Sequence, residues 1–410
     1  MPRHLRPIFA ALALIAAMAS AATTSLTWDT LPALPPAAGQ TEQPGVASPF
    51  VGVHQGALIV AGGANFPDKR PWEGGAKVWW DDIWVLENVS GLTAGWVGDK
   101  TFKLPRRIAY GISVSLPEGV VCVGGNDAER CYADVFLLSW DVRDRTVQTT
   151  PLPSLPEPLT NMAGALVGRT LYVAGGQHVM KGAVPSAVFW ALDFSQRDSP
   201  TGFKWMKLPS WPGPARVLAV AAAQGPPRRE KFFLFSGRLP QPGGATRLLG
   251  DAHEYDPLTR AWRTLSPIGG LGVSVMAGTA APVGSDEVLV FGGDRGDQFL
   301  KLEAHDLAIE QLRQKLAGAT AAERTAFERE IDNRLEAKRT IYVSHPGFGR
   351  EVYAYDTRRD AWRVVGQSPF APQVTTLAVK ADGSIVIPSG EIRPGVRTPE
   401  VVRARPGLSK

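Results

Sequence analysis

Near the C-terminal end of this 410-residue chain, the segment IPSGEIRPGVRT (Ile387–Thr398) places a carboxylate, Glu391, directly after a Ser-Gly pair, with Arg397 close behind. The two groups offer complementary chemistry. A carboxylate can accept a proton and return it. A guanidinium fork binds another carboxylate through parallel hydrogen bonds. The position of Glu391 is also a repeated one. Residues following comparable small-residue pairs are Ala64 (with Asn65 next), Asn126, Gln177, Arg238, Asp294 and Glu391. A turn by itself favours Asn and Asp, so Asn126 and Asp294 need no function; Arg238, Gln177 and Glu391 are less readily explained that way. Read as one set, the amides, the cation and the two carboxylates suit a polar, anionic small ligand. The strands preceding the apolar runs add Arg107 and Tyr110 in RRIAYGIS, Asn161 in TNMAGAL and Arg216 in GPARVLAV. Singly, Arg107 and Arg216 read equally as surface ion-pair partners and Asn161 as a turn cap. Their shared location in successive repeats makes them candidates.

Those residues converge only if the repeats close on themselves. The apolar runs are ALIVAGG (57–63), GVVCVGG (119–125), TLYVAGG (170–176), KFFLFSG (231–237), EVLVFGG (287–293) and SIVIPSG (384–390). Between most of them lies a second strand ending in an acidic or aromatic residue, then a Trp and a Leu-Pro. β-branched and aromatic content between turn residues favours strands. The spacing, about fifty to sixty residues with one longer gap, marks a repeat array. Period and pattern resemble Kelch repeats, each a four-stranded blade that buries its faces only against neighbours. The expected fold is all-β: a six-bladed Kelch-type β-propeller over residues 22–410, with a helical insertion in the fifth repeat. TSLTWDTLP, within 24–32, matches an outer strand without a blade and is expected to close the last one. From Leu302 to Arg339 the chain turns charged and helical, with Thr320 and Glu323 as a capping box between two helices. That insertion reads as a solvated decoration by default, and as a lid if it rises over the ligand face.

The bulk properties narrow the classes further. Arg3 and Arg6 precede an apolar run, Ile8–Met18, and an Ala-Ser-Ala site, which reads as a signal peptide over residues 1–21 and an exported protein, periplasmic or secreted. The run is too short to span a bilayer, so no membrane association is expected after cleavage. Without those two arginines the formal charge falls from +5 to about +3, and the remaining Lys and Arg are scattered, which argues against nucleic acid. Cys122 and Cys131 flank one predicted hairpin; export permits a bond between them, and two free thiols fit equally. No spacing of metal ligands points to calcium or zinc, and no cofactor is implied.

The segment Gly390-Glu391-Ile392-Arg393-Pro394-Gly395-Val396-Arg397-Thr398 resembles the Gly-Glu-x-(Lys/Arg)-Pro-Gly-(Leu/Val)-Arg-Thr stretch of Kelch-type sialic acid mutarotases, the N-acetylneuraminate epimerases. AYGISVS (109–115), VAGGANF (60–66) and the helical insertion are similar too, so the resemblance covers the mature chain. In those proteins the blade carrying the segment lies in mid-chain; here it comes last, as in a cyclically permuted subgroup. The resemblance implies a cofactor-independent exchange of sugar anomers, with Glu391 as proton acceptor and Arg397 as a ligand-binding residue. Arg238, Arg216, Asn126, Gln177, Asn161, Asp294 and Asn65 complete the expected binding set, and a sugar acid is the expected partner. Rival readings are a non-catalytic sugar-binding propeller and a protein-interaction propeller. A propeller-type copper oxidase would need a His, Tyr and Cys cluster that two cysteines in one blade do not supply.

Overall fold

The computed structural model describes residues 24–91, 93–180 and 184–408; the leader read at 1–21 lies outside them. Six antiparallel sheets of four or five strands follow one another along the chain, and each is a blade. Blade 2 is typical: Ile112–Leu116, Gly119–Val123, Val135–Asp141 and Thr146–Pro151 run from the axis outward. The inner strands are near-continuous apolar runs because both of their faces are covered. Six apolar clusters fill the gaps between neighbouring blades; one joins Val121, Val123 and Val135 of blade 2 to Leu171, Val173 and Trp190 of blade 3. No blade has a core of its own, so the ring is the folding unit.

Small-residue pairs make the sharp turn that ends each second strand. Both positions are left-handed in every repeat, as at Gly124 (φ 57°) and Gly125 (φ 109°). A Cβ on Gly125 would sit 2.6 Å from the Ala109 carbonyl oxygen, so only glycine fits the second place. Ser236 and Ser389 stand at the first place, and their hydroxyls accept from the backbone of the next blade, at Val275 (2.7 Å) and Val46 (2.8 Å). After each pair one residue bridges back to the chain just before the inner strand: Ala64 to Ala47, Asn126 to Ala109, Gln177 to Thr160, Arg238 to Val217, Asp294 to Met276 and Glu391 to Val374. The next residue in each case, Ser48, Tyr110, Asn161, Leu218, Ala277 or Thr375, is itself left-handed, with φ between 51° and 63°. Each of these donates its N–H to the carbonyl of its counterpart in an adjacent blade: Tyr110 to Ser48, Asn161 to Tyr110, Leu218 to Asn161, Ala277 to Leu218, Thr375 to Ala277, and Ser48 to Thr375, at 2.5–3.1 Å. The six bonds form a closed ring around the axis and hold the equivalent positions of all blades at one level.

The Trp-and-Leu-Pro pattern acquires a cause as well. The indole N–H of Trp96, Trp205, Trp262 and Trp362 donates to a carbonyl of the preceding blade, at Pro32, Pro153, Pro209 and Ser266, at 2.8–2.9 Å. At the closure, Thr24–Leu31 pairs antiparallel with Val401–Leu408, giving blade 6 its outermost strand from the opposite end of the chain. Arg403 forks onto Asp29 across that seam, at 2.7 and 2.9 Å. Between the second and third strands of blade 5 stand α1 (Asp297–Leu316) and α2 (Ala321–Ser344), joined by the Thr320–Glu323 capping box. The helices run wider than the expected 302–339. The charged, helical character of the sequence sets in at Leu302, whereas α1 starts right after Gly296, whose amide donates to Asp294. Cys122 and Cys131 are both buried free thiols.

Candidate active site

On the face where the bridging residues converge lies a cavity of about 930 Å³. Its lining includes Tyr110, Asn161, Leu218, Ala277 and Thr375 from the hydrogen-bonded ring, then Asn126, Gln177, Arg238, Asp294 and Glu391 from the bridging positions. Helix α1 adds Phe299, Leu302 and Glu303, and α2 adds Tyr342. The insertion is tied down at two places. Glu303 accepts from the amide and hydroxyl of Thr246 in blade 4, at 2.8 and 2.5 Å. Tyr342 stacks on Trp72 of blade 1, ring centroids 5.3 Å apart. The helices therefore form part of the cavity wall.

Glu391 and Arg397 sit opposite each other in a two-stranded hairpin, Glu391–Arg393 against Val396–Arg397. Pro394 and Gly395 (φ 77°) fill the central places of its turn, as a type II geometry requires. A Cβ on Gly395 would lie 2.5 Å from Pro71 Cγ, so the hairpin tip is seated against blade 1. One carboxylate oxygen of Glu391 accepts from the Gly395 amide at 2.7 Å and lies 3.0 Å from Arg397 Nη1. That last contact is an ion pair off hydrogen-bond angle: Arg397 Nε and Nη1 are both buried donors without an acceptor among the described residues. The Arg397 guanidinium lies over the Phe66 ring at 4.9 Å.

Arg238 differs from Arg397 in its company. Its guanidinium stacks on Phe299 of α1 at 4.4 Å, and Nε is buried with no acceptor. Burial lowers its pKa from the ordinary arginine value, with Glu303 and Asp294 opposing at longer range. Asp294 responds the other way. Burial pushes its carboxyl above the usual range and the negative charge of Glu391 adds to that, against the Gly296 amide and Arg238. Burial, then Asp306 and Glu391, push the Tyr342 phenol up.

Of the residues expected at the site, Glu391, Arg397, Arg238, Asp294, Asn126, Gln177 and Asn161 line the cavity, together with Tyr110. Asn126 and Gln177 are largely committed to the protein: Asn126 donates to Asp127 and accepts from Thr160, while Gln177 donates to Val179. Three expectations are corrected. Arg216 is wholly buried between blades, forked onto Asp251 at 2.9 and 2.6 Å, and is a structural ion pair. The side chain of Asn65 turns away from the cavity, donating to the Gly45 carbonyl and accepting from the Trp80 indole. Arg107 is exposed and does not line the cavity. Sequence reasoning missed Lys77, whose ammonium donates to the Tyr110 hydroxyl at 3.0 Å and lies 5.1–5.8 Å from the rings of Phe66, Trp79 and Tyr110. It stands in an unrepeated loop, so no periodicity flags it. Phe299 and Tyr342 carry no signal beyond the place of the insertion.

The closed ring of six blades and the charged cavity walled in part by two helices define a propeller with a large polar cavity on one face. A family model for N-acetylneuraminate epimerase matches residues 14–147 and 152–408, and the chain belongs to that family. Relatives named N-acetylneuraminate epimerase include one from Brucella melitensis, 28% identical over 287 residues (69% of this chain, 66% of that protein). Another, from Haemophilus influenzae, is 27% identical over 251 residues, covering 60% of this chain and 57% of that one. The chain thus spans two thirds or less of the length of these relatives. A solved structure, that of YjhT, shares the fold with a TM-score of 0.57 at 13% identity, over 93% of this chain and 99% of that one.

Proposed function

We propose that this protein is an isomerase that interconverts the α and β anomers of N-acetylneuraminate without a cofactor, and that it does so outside the cytoplasm. The observation carrying this reading is the Glu391–Arg397 hairpin pair in the cavity of a chain from this family. Glu391 takes the proton of the anomeric hydroxyl while the bond between the anomeric carbon and the ring oxygen breaks. The ring oxygen leaves as an alkoxide and is protonated by the carboxylic acid just formed. The open-chain ketone turns its other face to the hydroxyl, and the same steps in reverse close the ring. No electrons are transferred, and the carboxylate ends as it began.

The local geometry suits that cycle. The Gly395 amide and Arg397 fix one oxygen of Glu391 and leave the other for the substrate. The spare donors of Arg397 are available to sugar oxygens beside the reacting carbon. Tyr110 and Lys77 supply a further hydroxyl and ammonium on the same wall. Proton NMR of freshly released α-N-acetylneuraminate, with and without protein, tests the reading. Glu391→Gln should slow the catalysed exchange by about 100- to 10,000-fold while keeping ligand binding. A wild type that binds the sugar and leaves its spontaneous anomerisation rate unchanged would instead mark a sugar-binding propeller.

A further inference from the structure

The resemblance makes Arg397 a ligand-binding residue, and its guanidinium would suit an anion, yet the structure gives it a resident counter-charge, Glu391 at 3.0 Å. Arg238 has none. Among the described residues its side chain makes no ion pair and no hydrogen bond. The nearest influences on its charge are Glu303 and Asp294, acting without direct contact. A half-buried guanidinium with a buried, unpaired Nε is best served by an anion or several acceptors. The Arg238 head group is also presented as a receptor. Its face lies on Phe299 at 4.4 Å, which fixes the plane and leaves the N–H edge for a fork-shaped partner. Arg238 and Glu391 occupy equivalent bridging positions in blades 4 and 6, both facing the cavity, with Asp294 of blade 5 between them.

We infer that Arg238, stacked on Phe299 of α1 and free of any protein carboxylate, is the receptor for the substrate's carboxylate, while Arg397 serves Glu391. This rests on the sugar-acid reading above and deepens it: the site selects sugars that bear a carboxylate on the anomeric carbon and passes over neutral aldoses. It also gives the insertion a role in recognition, since the aromatic platform beneath the receptor belongs to α1. Helix α1 is in turn anchored on blade 4 through Glu303 and Thr246, beside Arg238 itself.

The test uses the full-length protein, its Arg238→Gln variant, N-acetylneuraminate and the methyl ester of that acid. Binding is followed by NMR titration and anomer exchange by proton NMR. The wild type should bind the acid about 100-fold more tightly than the ester, the scale of one lost charge-assisted fork. Arg238→Gln should weaken the acid by about 100-fold and the ester by no more than about 3-fold. Arg238→Lys should restore part of the acid affinity, and it serves as the reading if the Gln variant does not fold. Equal weakening of acid and ester, or an unchanged affinity for the acid, would overturn the assignment. So would a wild type that binds neither compound. A wild type that binds the acid through Arg238 without exchanging its anomers would refute the isomerase reading alone.

Discussion

Replacing Arg216 by Met separates two accounts of a residue that looked like part of the binding set. In the structure its guanidinium is 0% exposed. It forks onto Asp251, donates to the Ser236 carbonyl at 2.9 Å and to the Pro214 carbonyl at 3.3 Å, and lies 5.3 Å from the Trp211 ring. Removing it leaves the Asp251 carboxylate with one partner, His253 Nε2 at 2.9 Å, and the Ser236 carbonyl without this donor. Breaking a buried pair costs about 3–5 kcal/mol. Because the Asp251 side chain retains 29% exposure, water softens the loss, and the low end, about 3 kcal/mol, applies. With an unfolding entropy of about 2.1 cal/mol/K per residue, a ring of roughly 390 residues should lose about 4 °C in Tm. The loss should also depend on pH. Burial alone would raise the Asp251 carboxyl, but hydrogen bonds from His253 and Arg216 outweigh it and hold the group far below the carboxylate range. A depressed carboxyl adds stability above its unfolded pKa, about 3.9, and loses that stability as pH falls. The gap between wild type and variant should therefore be full at pH 7 and narrow progressively below about pH 4. Thermal and urea unfolding across that range measure it. Ligand affinity, read well below the Tm, should not change. A variant with unaltered Tm and weakened sugar binding would show that Arg216 belongs to the site after all.

Deleting Thr24–Leu31 should open the ring, since that strand completes blade 6, carries Trp28 against Phe291 and holds Asp29 for Arg403. Calorimetry should then show a broadened unfolding at lower temperature; one sharp transition at the wild-type Tm would contradict the closure argument. Ala277→Gly should be neutral or stabilising by up to about 1 kcal/mol, because it relieves a left-handed alanine at φ 52° while adding unfolded-chain entropy. A loss above about 1 kcal/mol would mean the ring of bonds tolerates no slack there. Asp294→Asn tests the raised carboxyl. A group protonated more readily folded than unfolded favours the native state at low pH and disfavours it as pH rises through the folded pKa. The variant should match wild type at acid pH and exceed its stability at pH 8 in urea titrations; equal stability at pH 8 would refute the burial argument.

Two of the three residues misassigned at the site, Arg216 and Asn65, each stand one position from a bridging residue. Arg216 precedes Val217, the bridge partner of Arg238; Asn65 follows Ala64, the blade 1 bridge residue. In extended chain a shift of one residue turns the side chain to the opposite face. The bridging residues from Asn126 to Glu391 point into the cavity, whereas Asn65 and Arg216 point into the gaps between blades. There each meets a tryptophan, Trp80 or Trp211, and backbone carbonyls. The repeats made the bridging set legible because a closed ring carries equivalent positions to one level; parity alone does not exclude Arg216, since Tyr110, Asn161 and Leu218 also stand one place from a bridge position and, at left-handed φ, line the cavity. What no periodicity could supply is the part of the wall that does not repeat. Lys77 stands in a loop particular to blade 1, and Phe299 lies in the first turn of α1, ahead of Leu302, where the insertion was read to begin. Those unrepeated groups touch Tyr110 and Arg238, two members of the repeated set. The scaffold is thus symmetric in its backbone while the cavity is not, and that asymmetry pairs Arg397 with Glu391 while Arg238 has no ion-pair partner among the described residues.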